Sequence, residues 1–95
     1  MTDRTFCLRG EYDMLNASEL ESSLLRFAHD CGGGSITIDA EQLRFIDSSG
    51  IGALLRVREA MESEGRTLRV VNLPRSTRRV LEALDLLEAL GGETN

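Results

Sequence analysis

The spacing of apolar residues alternates between two periods along this chain, and that alternation most limits the folds it can adopt. Runs rich in β-branched and aromatic residues, which favour strands, occur at residues 5–9, 35–40 and 67–73. Each run is followed by apolar residues at helical spacing: Leu20, Leu24, Phe27 and Ala28; Ile51, Leu54, Leu55 and Met61; Val80, Leu81, Leu84 and Leu87. The order strand, helix, strand, helix, strand, helix predicts an α/β fold with some parallel pairing, because a crossover helix returns the next strand to the sheet.

Residues typical of helix starts and stops support these elements. Asn16 is predicted to begin the first helix, with Glu19 as its capping-box partner. The three glycines at 32–34 are typical of a helix exit. We expect the second helix to close at residues 64–65 and the last at residues 91–92, and Pro74 to end the third strand because proline lacks a ladder donor.

Length and charge narrow the classes of function. At 95 residues the chain is expected to form a single domain over residues 1–95. Its net charge of −5 argues against direct binding of nucleic acid. The sequence has no apolar run of the roughly 20 residues that a membrane helix needs, and no secretory signal pattern. We therefore expect a cytoplasmic protein that does not contact a membrane.

The sequence lacks the residues that metal sites, cofactor sites and catalytic nucleophiles usually require. Cys7 and Cys31 do not form a Cys-x-x-Cys pair, so zinc and thioredoxin-type sites lack their ligands. His29 is the single histidine, which removes most Ser-His and Cys-His catalytic arrangements. The prediction is a protein with no metal, no cofactor and no catalytic residue.

One segment carries candidate chemistry, residues 45–52 (Phe-Ile-Asp-Ser-Ser-Gly-Ile-Gly), where a predicted strand turns into a helix. Three interpretations compete for it. In the first, an Asp or Ser side chain caps the helix by accepting a hydrogen bond from a first-turn N–H group. In the second, a serine is the nucleophile of a hydrolase. In the third, an exposed serine accepts a phosphate, which the free N–H groups and the helix dipole would tolerate.

The hydrolase interpretation fits the spacing poorly. A nucleophile elbow needs glycine two residues before the serine, but Ile46 stands there for Ser48, and Asp47 for Ser49. The dinucleotide fingerprint also fails, because its third glycine would have to replace Leu55. Capping and phosphorylation both stay open on the residues alone. A phosphate beside Asp47 would change what this surface can dock with, through repulsion, bulk and desolvation.

Residues 36–51 resemble the signature of the STAS domain family, in the branch of bacterial anti-sigma factor antagonists. The resemblance rests on a β-run containing Asp39, then Leu43, and then residues 45–51 (Phe-Ile-Asp-Ser-Ser-Gly-Ile). Residues 10–13 (Gly-Glu-Tyr-Asp) resemble the family's Gly-Glu-Leu-Asp turn, and residues 73–74 and 78–81 resemble its later strand, loop and helix. Together these segments cover nearly the whole chain.

The resemblance implies a fold and a function. The implied fold is a small mixed β-sheet flanked by α-helices, and the implied function is regulatory rather than enzymatic. In this branch the unphosphorylated protein binds an anti-sigma factor and frees a sigma factor. The anti-sigma factor acts as a serine kinase that uses ATP to phosphorylate the antagonist and so releases it, and a serine phosphatase acts on the phosphorylated form.

Matched by position, the resemblance also assigns site residues. Ser48 is the implied phosphate acceptor, and Ser49 is the second choice or a helix cap. Asp47 is expected to hold the turn and present Ser48, and Gly50 to let the partner's backbone approach closely. The expected partner-binding residues are Asp13, Asp47, Ser49, Gly50 and Ile51.

The chain also departs from the family pattern. Few residues precede the predicted strand at 5–9, so the family's usual first strand is expected to be shortened or missing. The sheet edge this exposes would invite pairing with a second copy as a weak homodimer. Residues 84–86 (Leu-Asp-Leu) stand where the family often has a small residue and glycine.

Two questions stay open from the sequence. The alternative function is a non-switching STAS scaffold module of a lipid-transport ATPase or of a stress-signalling complex. Arg75, Arg78 and Arg79 form either the solvated first turn of the last helix or a patch that docks a partner.

Overall fold

Strands and helices alternate through the computed structural model, which describes residues 4–86. The elements are β1 (Arg4–Tyr12), α1 (Ala17–Asp30), β2 (Ile36–Ile46), α2 (Ser48–Glu62), β3 (Leu68–Val71) and α3 (Arg75–Ala83). The predicted α/β class and the predicted order of elements are confirmed. The C-terminal residues of the last predicted helix, including Leu87 and the glycines at 91–92, lie outside the described residues.

The three strands form one sheet in the order β1-β2-β3, with β2 in the centre. Arg4 pairs with Ile36 in the first parallel pair, and Ile36 pairs with Leu68 in the second. The resemblance implied a mixed sheet, but both strand pairs among residues 4–86 are parallel. The reason is that each pair of consecutive strands is connected through a helix, which returns the chain to the same end of the sheet.

One face of the sheet carries the core, and α1 and α2 supply most of the apolar side chains packed on it. Along β2 the residues Ile36, Ile38 and Ala40 are buried, whereas Thr37 and Asp39 between them are less buried. This alternation is the strand period of two. The buried helix residues are Leu20, Leu24, Ala28, Ile51, Ala53, Leu54, Val57, Met61 and Leu81. The half-buried Phe27 meets Phe6 edge to face, with ring centroids 5.3 Å apart.

The strand boundaries differ from those expected. β1 continues through the predicted turn at residues 10–12, because Gly10 adopts a φ of +76° and an irregularity in the pairing follows it. β2 runs on to Ile46 without a break, and β3 is shorter than residues 67–73. Asn72, at a φ of +59°, turns the chain away from the sheet before Pro74.

The ends of α2 and α3 also differ from those predicted. α2 ends at Glu62, before residues 64–65, and α3 ends at Ala83. Val80 and Leu84 belong to the apolar spacing that predicted the last helix, but both are about half exposed. The buried positions of α3 are Thr77 and Leu81, four residues apart, so the helix is rotated away from its most apolar stripe.

The described sheet has two edge strands, β1 and β3. The pairing of β1 with β2 shifts register at two points, and β1 carries the exposed charges of Arg4, Arg9 and Glu11. Bulges and charges on an edge strand discourage pairing with another chain. The weak homodimer stays a prediction.

A partly buried arginine, Arg66, stabilises the end of the molecule where the strands begin. Arg66 donates from Nη2 to the carbonyl oxygen of Ala28 at 2.8 Å, and from Nε to that of Gly34 at 3.1 Å. It therefore ties the last turn of α1 and the glycine loop to the segment that enters β3. The bond to Ala28 satisfies a carbonyl group in the last turn of a helix, which has no partner within the helix, and the bond to Gly34 satisfies a loop carbonyl.

Candidate functional site

The candidate site lies where β1 and β2 end side by side. Tyr12 and Ile46 are paired at the carboxyl ends of these strands, and the N–H of Asp47 donates to the Tyr12 carbonyl oxygen at 3.0 Å. Asp13 and Asp47 therefore follow adjacent strands at the same edge. In parallel sheets this edge is where ligand and partner sites are usually built.

Asp47 caps α2 with its side chain. Its Oδ1 accepts hydrogen bonds from the N–H of Ser49 at 2.9 Å and from the N–H of Gly50 at 3.1 Å. Its carbonyl oxygen accepts the first helical bond, from the N–H of Ile51 at 2.9 Å. The predicted capping at this turn is confirmed for Asp47. The alternative that Ser49 caps the helix is wrong, because Ser49 is already inside the first turn as a donor.

Ser48 is the first residue of α2 and is exposed. Its hydroxyl makes no hydrogen bond to any group in residues 4–86, so the turn does not depend on it. Ser49 is half-buried, and its hydroxyl also has no partner in the described chain. Of the two serines, Ser48 is the more accessible to another protein.

Gly50 is buried and permits close packing inside the domain. A Cβ atom at this position would lie 2.6 Å from Cγ1 of Ile46 and 3.2 Å from Cβ of Tyr12. Within the domain this close approach is made by β1 and β2. Ile51 lies in the core, where its side chain is already packed. The partner contacts expected of Gly50 and Ile51 stay predictions.

Asp13 belongs to a turn held by side chains. Its Oδ1 accepts from the N–H of Leu15 at 2.9 Å, and its own N–H donates to Oδ1 of Asn16 at 2.8 Å. Asn16 also donates from Nδ2 to the carbonyl oxygen of Glu11. Asn16 is the residue before α1, but its side chain makes no capping bond to the helix. The predicted capping box with Glu19 is wrong, because Asn16 bonds back to the β1 turn instead.

A comparison with known families assigns the chain. A family model described as Mlab, STAS domain, matches residues 3–91. The chain belongs to the STAS domain family. This confirms the family suggested by residues 36–51.

Solved structures share the fold of this STAS domain. The unphosphorylated anti-sigma factor antagonist SpoIIAA matches with a TM-score of 0.65 and 22% identity, over 88% of this chain and 87% of that chain. The phosphorylated form of SpoIIAA, a Bacillus cell fate determinant, matches with a TM-score of 0.67 and 23% identity, over 96% and 82%. A sulfate transporter family protein from Wolinella succinogenes matches with a TM-score of 0.73 and 17% identity, over 94% and 71%.

The STAS domain exposes apolar side chains beside the Asp13 turn, which the sequence analysis missed. Met14 is 76% exposed and Leu15 is 89% exposed. Large exposed apolar side chains that cluster beside a polar turn are typical of protein contact sites. Their exposure could have been inferred from their position in the sequence, since both residues precede α1 and fall outside its apolar stripe.

Asp39 is the one described residue of this STAS domain whose pKa is clearly displaced. The N–H of Glu41 donates to its Oδ1 at 3.0 Å and Nδ2 of Asn72 donates to the same oxygen at 3.1 Å. Both bonds favour the charged form, so the pKa of Asp39 lies below its ordinary value of 3.8. Asp39 thus connects β2 to the turn that precedes α3.

The described part of the STAS domain lacks two features. No helix among residues 4–86 is long and apolar enough to cross a bilayer. The same residues contain no group of three or more His, Cys, Asp or Glu side chains placed to hold a metal ion.

Proposed function

We propose that this STAS domain is an anti-sigma factor antagonist, and that phosphorylation of Ser48 switches off its binding to an anti-sigma factor with serine kinase activity. The observation that carries the proposal is the division of roles at the start of α2. Asp47 makes the capping bonds, whereas the exposed hydroxyl of Ser48 makes none within residues 4–86. A phosphate can be added there, and removed by a serine phosphatase, without breaking a bond that holds the turn.

Charge is the physical basis of the switch. A phosphoserine adds close to two negative charges at neutral pH. The free N–H groups and dipole of α2 favour that charge, while the adjacent Asp47 and nearby Asp13 carboxylates oppose it. The fold is therefore expected to survive phosphorylation. A partner that covers Ser48 would have to desolvate the phosphate, and each 1.4 kcal/mol of such cost, roughly, weakens binding tenfold.

Support also comes from the fold relatives. SpoIIAA is described as an anti-sigma factor antagonist and has been solved in both an unphosphorylated and a phosphorylated form. On this proposal the protein is a regulator that acts in the cytoplasm and catalyses no reaction of its own.

Phosphosite mapping tests the proposal directly. The protein is recovered from its own cells, growing and starved, and both phosphorylation and co-purified partners are determined by tandem mass spectrometry. We expect phosphate on Ser48 that differs between the two states, and an ATP-binding anti-sigma factor among the partners. Ser48→Ala should abolish phosphorylation by that kinase and Ser48→Asp should weaken binding, while the matched variant Ser49→Ala should keep both. Phosphorylation that survives Ser48→Ala would refute the assignment.

The second candidate is a scaffold that docks through the same turn without phosphate turnover. It is favoured by the description of the matching family model, Mlab, and by the match to a sulfate transporter family protein. On this alternative the protein would be a constitutive module of a lipid-transport ATPase or a stress-signalling complex. An unmodified Ser48 in both growth states, with transporter or scaffold subunits bound, would favour it.

A further inference from the structure

A groove separate from Ser48 runs between the end of β2 and the start of α3. Its volume is about 160 Å³, and its lining residues are Arg44, Phe45, Ile46, Ser76, Thr77 and Val80. The lining is partly polar, from Arg44 and the first turn of α3, and partly apolar, from Phe45 and Val80. Both apolar side chains are about half exposed.

The polar part of the lining includes hydrogen-bond donors that have no acceptor within residues 4–86. α3 follows Pro74, which offers no side chain to cap it, and the first helical bond is made by the N–H of Arg78. The N–H groups of Ser76 and Thr77 have no partner within residues 4–86. The N-terminal N–H groups of a helix together form a favourable position for an anion.

Thr77 adds a side-chain donor to the groove. Thr77 lines the groove and is 8% exposed, and its hydroxyl has no hydrogen-bond partner in the described chain. The hydroxyl is not enclosed, because Nη2 of Arg78 is the buried side-chain atom without a partner among residues 4–86. The Thr77 hydroxyl is therefore free to donate to a molecule bound in the groove.

The charge around the groove is opposite to that of the whole protein. Arg44 lines the groove, and Arg75, Arg78 and Arg79 lie in the first turns of α3; none of the four has a carboxylate partner among residues 4–86. In addition, Nη2 of Arg78 is buried without an acceptor. In a chain of net charge −5, this basic surface is complementary to an acidic ligand.

We propose that the groove binds an acidic segment of a protein partner. A carboxylate of the segment accepts hydrogen bonds from the N–H groups of Ser76 and Thr77 and from the Thr77 hydroxyl, and pairs with Arg44. A neighbouring apolar side chain packs between Phe45 and Val80. The inference goes beyond the proposed function, because the groove does not include Ser48 and would serve a switching or a non-switching partner equally.

Nuclear magnetic resonance titration of the full chain tests this docking site. The probe is an acetylated and amidated peptide of alternating acidic and leucine residues (Asp-Leu-Glu-Leu-Asp), at constant ionic strength. We expect saturable shifts of the Ser76 and Thr77 amide signals. The analogue with Asn and Gln in place of Asp and Glu should bind more weakly, and inorganic phosphate alone should also bind more weakly because it lacks the apolar contact.

Three variants separate the site from general charge effects. Arg44→Gln and Thr77→Val should each weaken peptide binding about threefold or more, the size expected from losing one partly exposed charged or polar contact. Arg26→Gln makes the same charge change at an exposed position on α1 and should leave binding unchanged. Arg44 is exposed, so its variant is informative even if Thr77→Val impairs folding.

The inference is overturned by any of four results. These are the absence of a saturable shift at Ser76 and Thr77, equal binding of the uncharged analogue, equal binding of phosphate alone, and equal losses in Arg26→Gln and Arg44→Gln. The second would indicate a purely apolar groove, the third a small-anion site, and the fourth a response to net charge.

Discussion

The starts of α2 and α3 lie at the same edge of the sheet but are built in opposite ways. At α2, the Asp47 carboxylate bonds two first-turn N–H groups, and Gly50 packs tightly against β1 and β2. At α3, Pro74 provides no capping side chain, and the N–H groups of Ser76 and Thr77 have no acceptor within residues 4–86. At the start of α2 the capped N–H groups already have acceptors, so this surface is altered by adding a group, such as a phosphate, to an exposed side chain. A turn with unsatisfied donors is suited to receive a group from another molecule.

The largest expected effect tests the tight packing at α2. Gly50→Ala would place a methyl group 2.6 Å from Cγ1 of Ile46, and overpacking of this kind costs about 1–3 kcal/mol. Gly52→Ala is the matched control, because its nearest neighbour is the mobile end of Arg56 at 3.2 Å. Both variants gain the same helix propensity, so the difference in unfolding free energy, measured with urea, reports the clash. Equal stabilities would show that Ile46 moves aside freely.

The next effect tests the cap. Asp47→Ala removes the acceptor of two N–H groups and should lower the free energy of unfolding by about 0.5–2 kcal/mol. Ser49→Ala, a neighbouring change that breaks no hydrogen bond within the described chain, should stay within about 0.5 kcal/mol of the parent. Urea denaturation of both variants gives the comparison. A loss in Ser49→Ala as large as that in Asp47→Ala would contradict the assignment of the cap.

A smaller effect compares the two helices with the same substitution. Ser76→Asp places a carboxylate among free N–H groups and unpaired arginines, and should stabilise the protein by about 0.3–1 kcal/mol. Ser48→Asp should gain less, because the Asp47 carboxylate already occupies the start of α2 and repels a second one. Thermal or urea unfolding of the two variants at low salt measures the difference. A larger gain at Ser48 would reverse the contrast between the helices.

The smallest effect concerns pH and the turn before α3. Hydrogen bonds from Glu41 and Asn72 lower the pKa of Asp39, so its stabilising contribution is complete above the unfolded-state pKa. That contribution is lost as the pH falls through the lower, folded-state value. Titration of the Asp39 carboxyl signal should give a pKa below 3.8. Asn72→Ala should raise it part of the way back, since the Glu41 bond remains; an unchanged pKa would show that Asn72 has no influence.

Features encoded by neighbouring residues were predictable from the sequence. The alternating apolar periods gave the order of the elements, and an Asp directly before a helical stripe indicated the cap at Asp47. The capping box at Asn16 was a local prediction that failed, because Asn16 bonds to Asp13 and Glu11 of the preceding turn. The Asn16 side chain could bond either to the first turn of α1 or to the turn at the end of β1, and in the structure it bonds to the turn.

Features that depend on distant residues were not predictable. The role of Gly50 follows from its distance to Tyr12, on another strand. The acceptors of Arg66 lie 32 and 38 residues away in the chain. The exposure of Val80 depends on how α3 is rotated on the domain, and a nine-residue helix has too few apolar positions to determine that rotation by itself.

The parallel sheet has a consequence for how the chain folds. In both strand pairs the first partners are 32 residues apart, Arg4 with Ile36 and Ile36 with Leu68. No pair can therefore form as a hairpin, and each requires a long loop to close before its contacts are gained. β2 takes part in both pairs, so neither pair can form until β2 is in place. We therefore expect the folding rate to depend on closing these long loops, to which the final stability is much less sensitive.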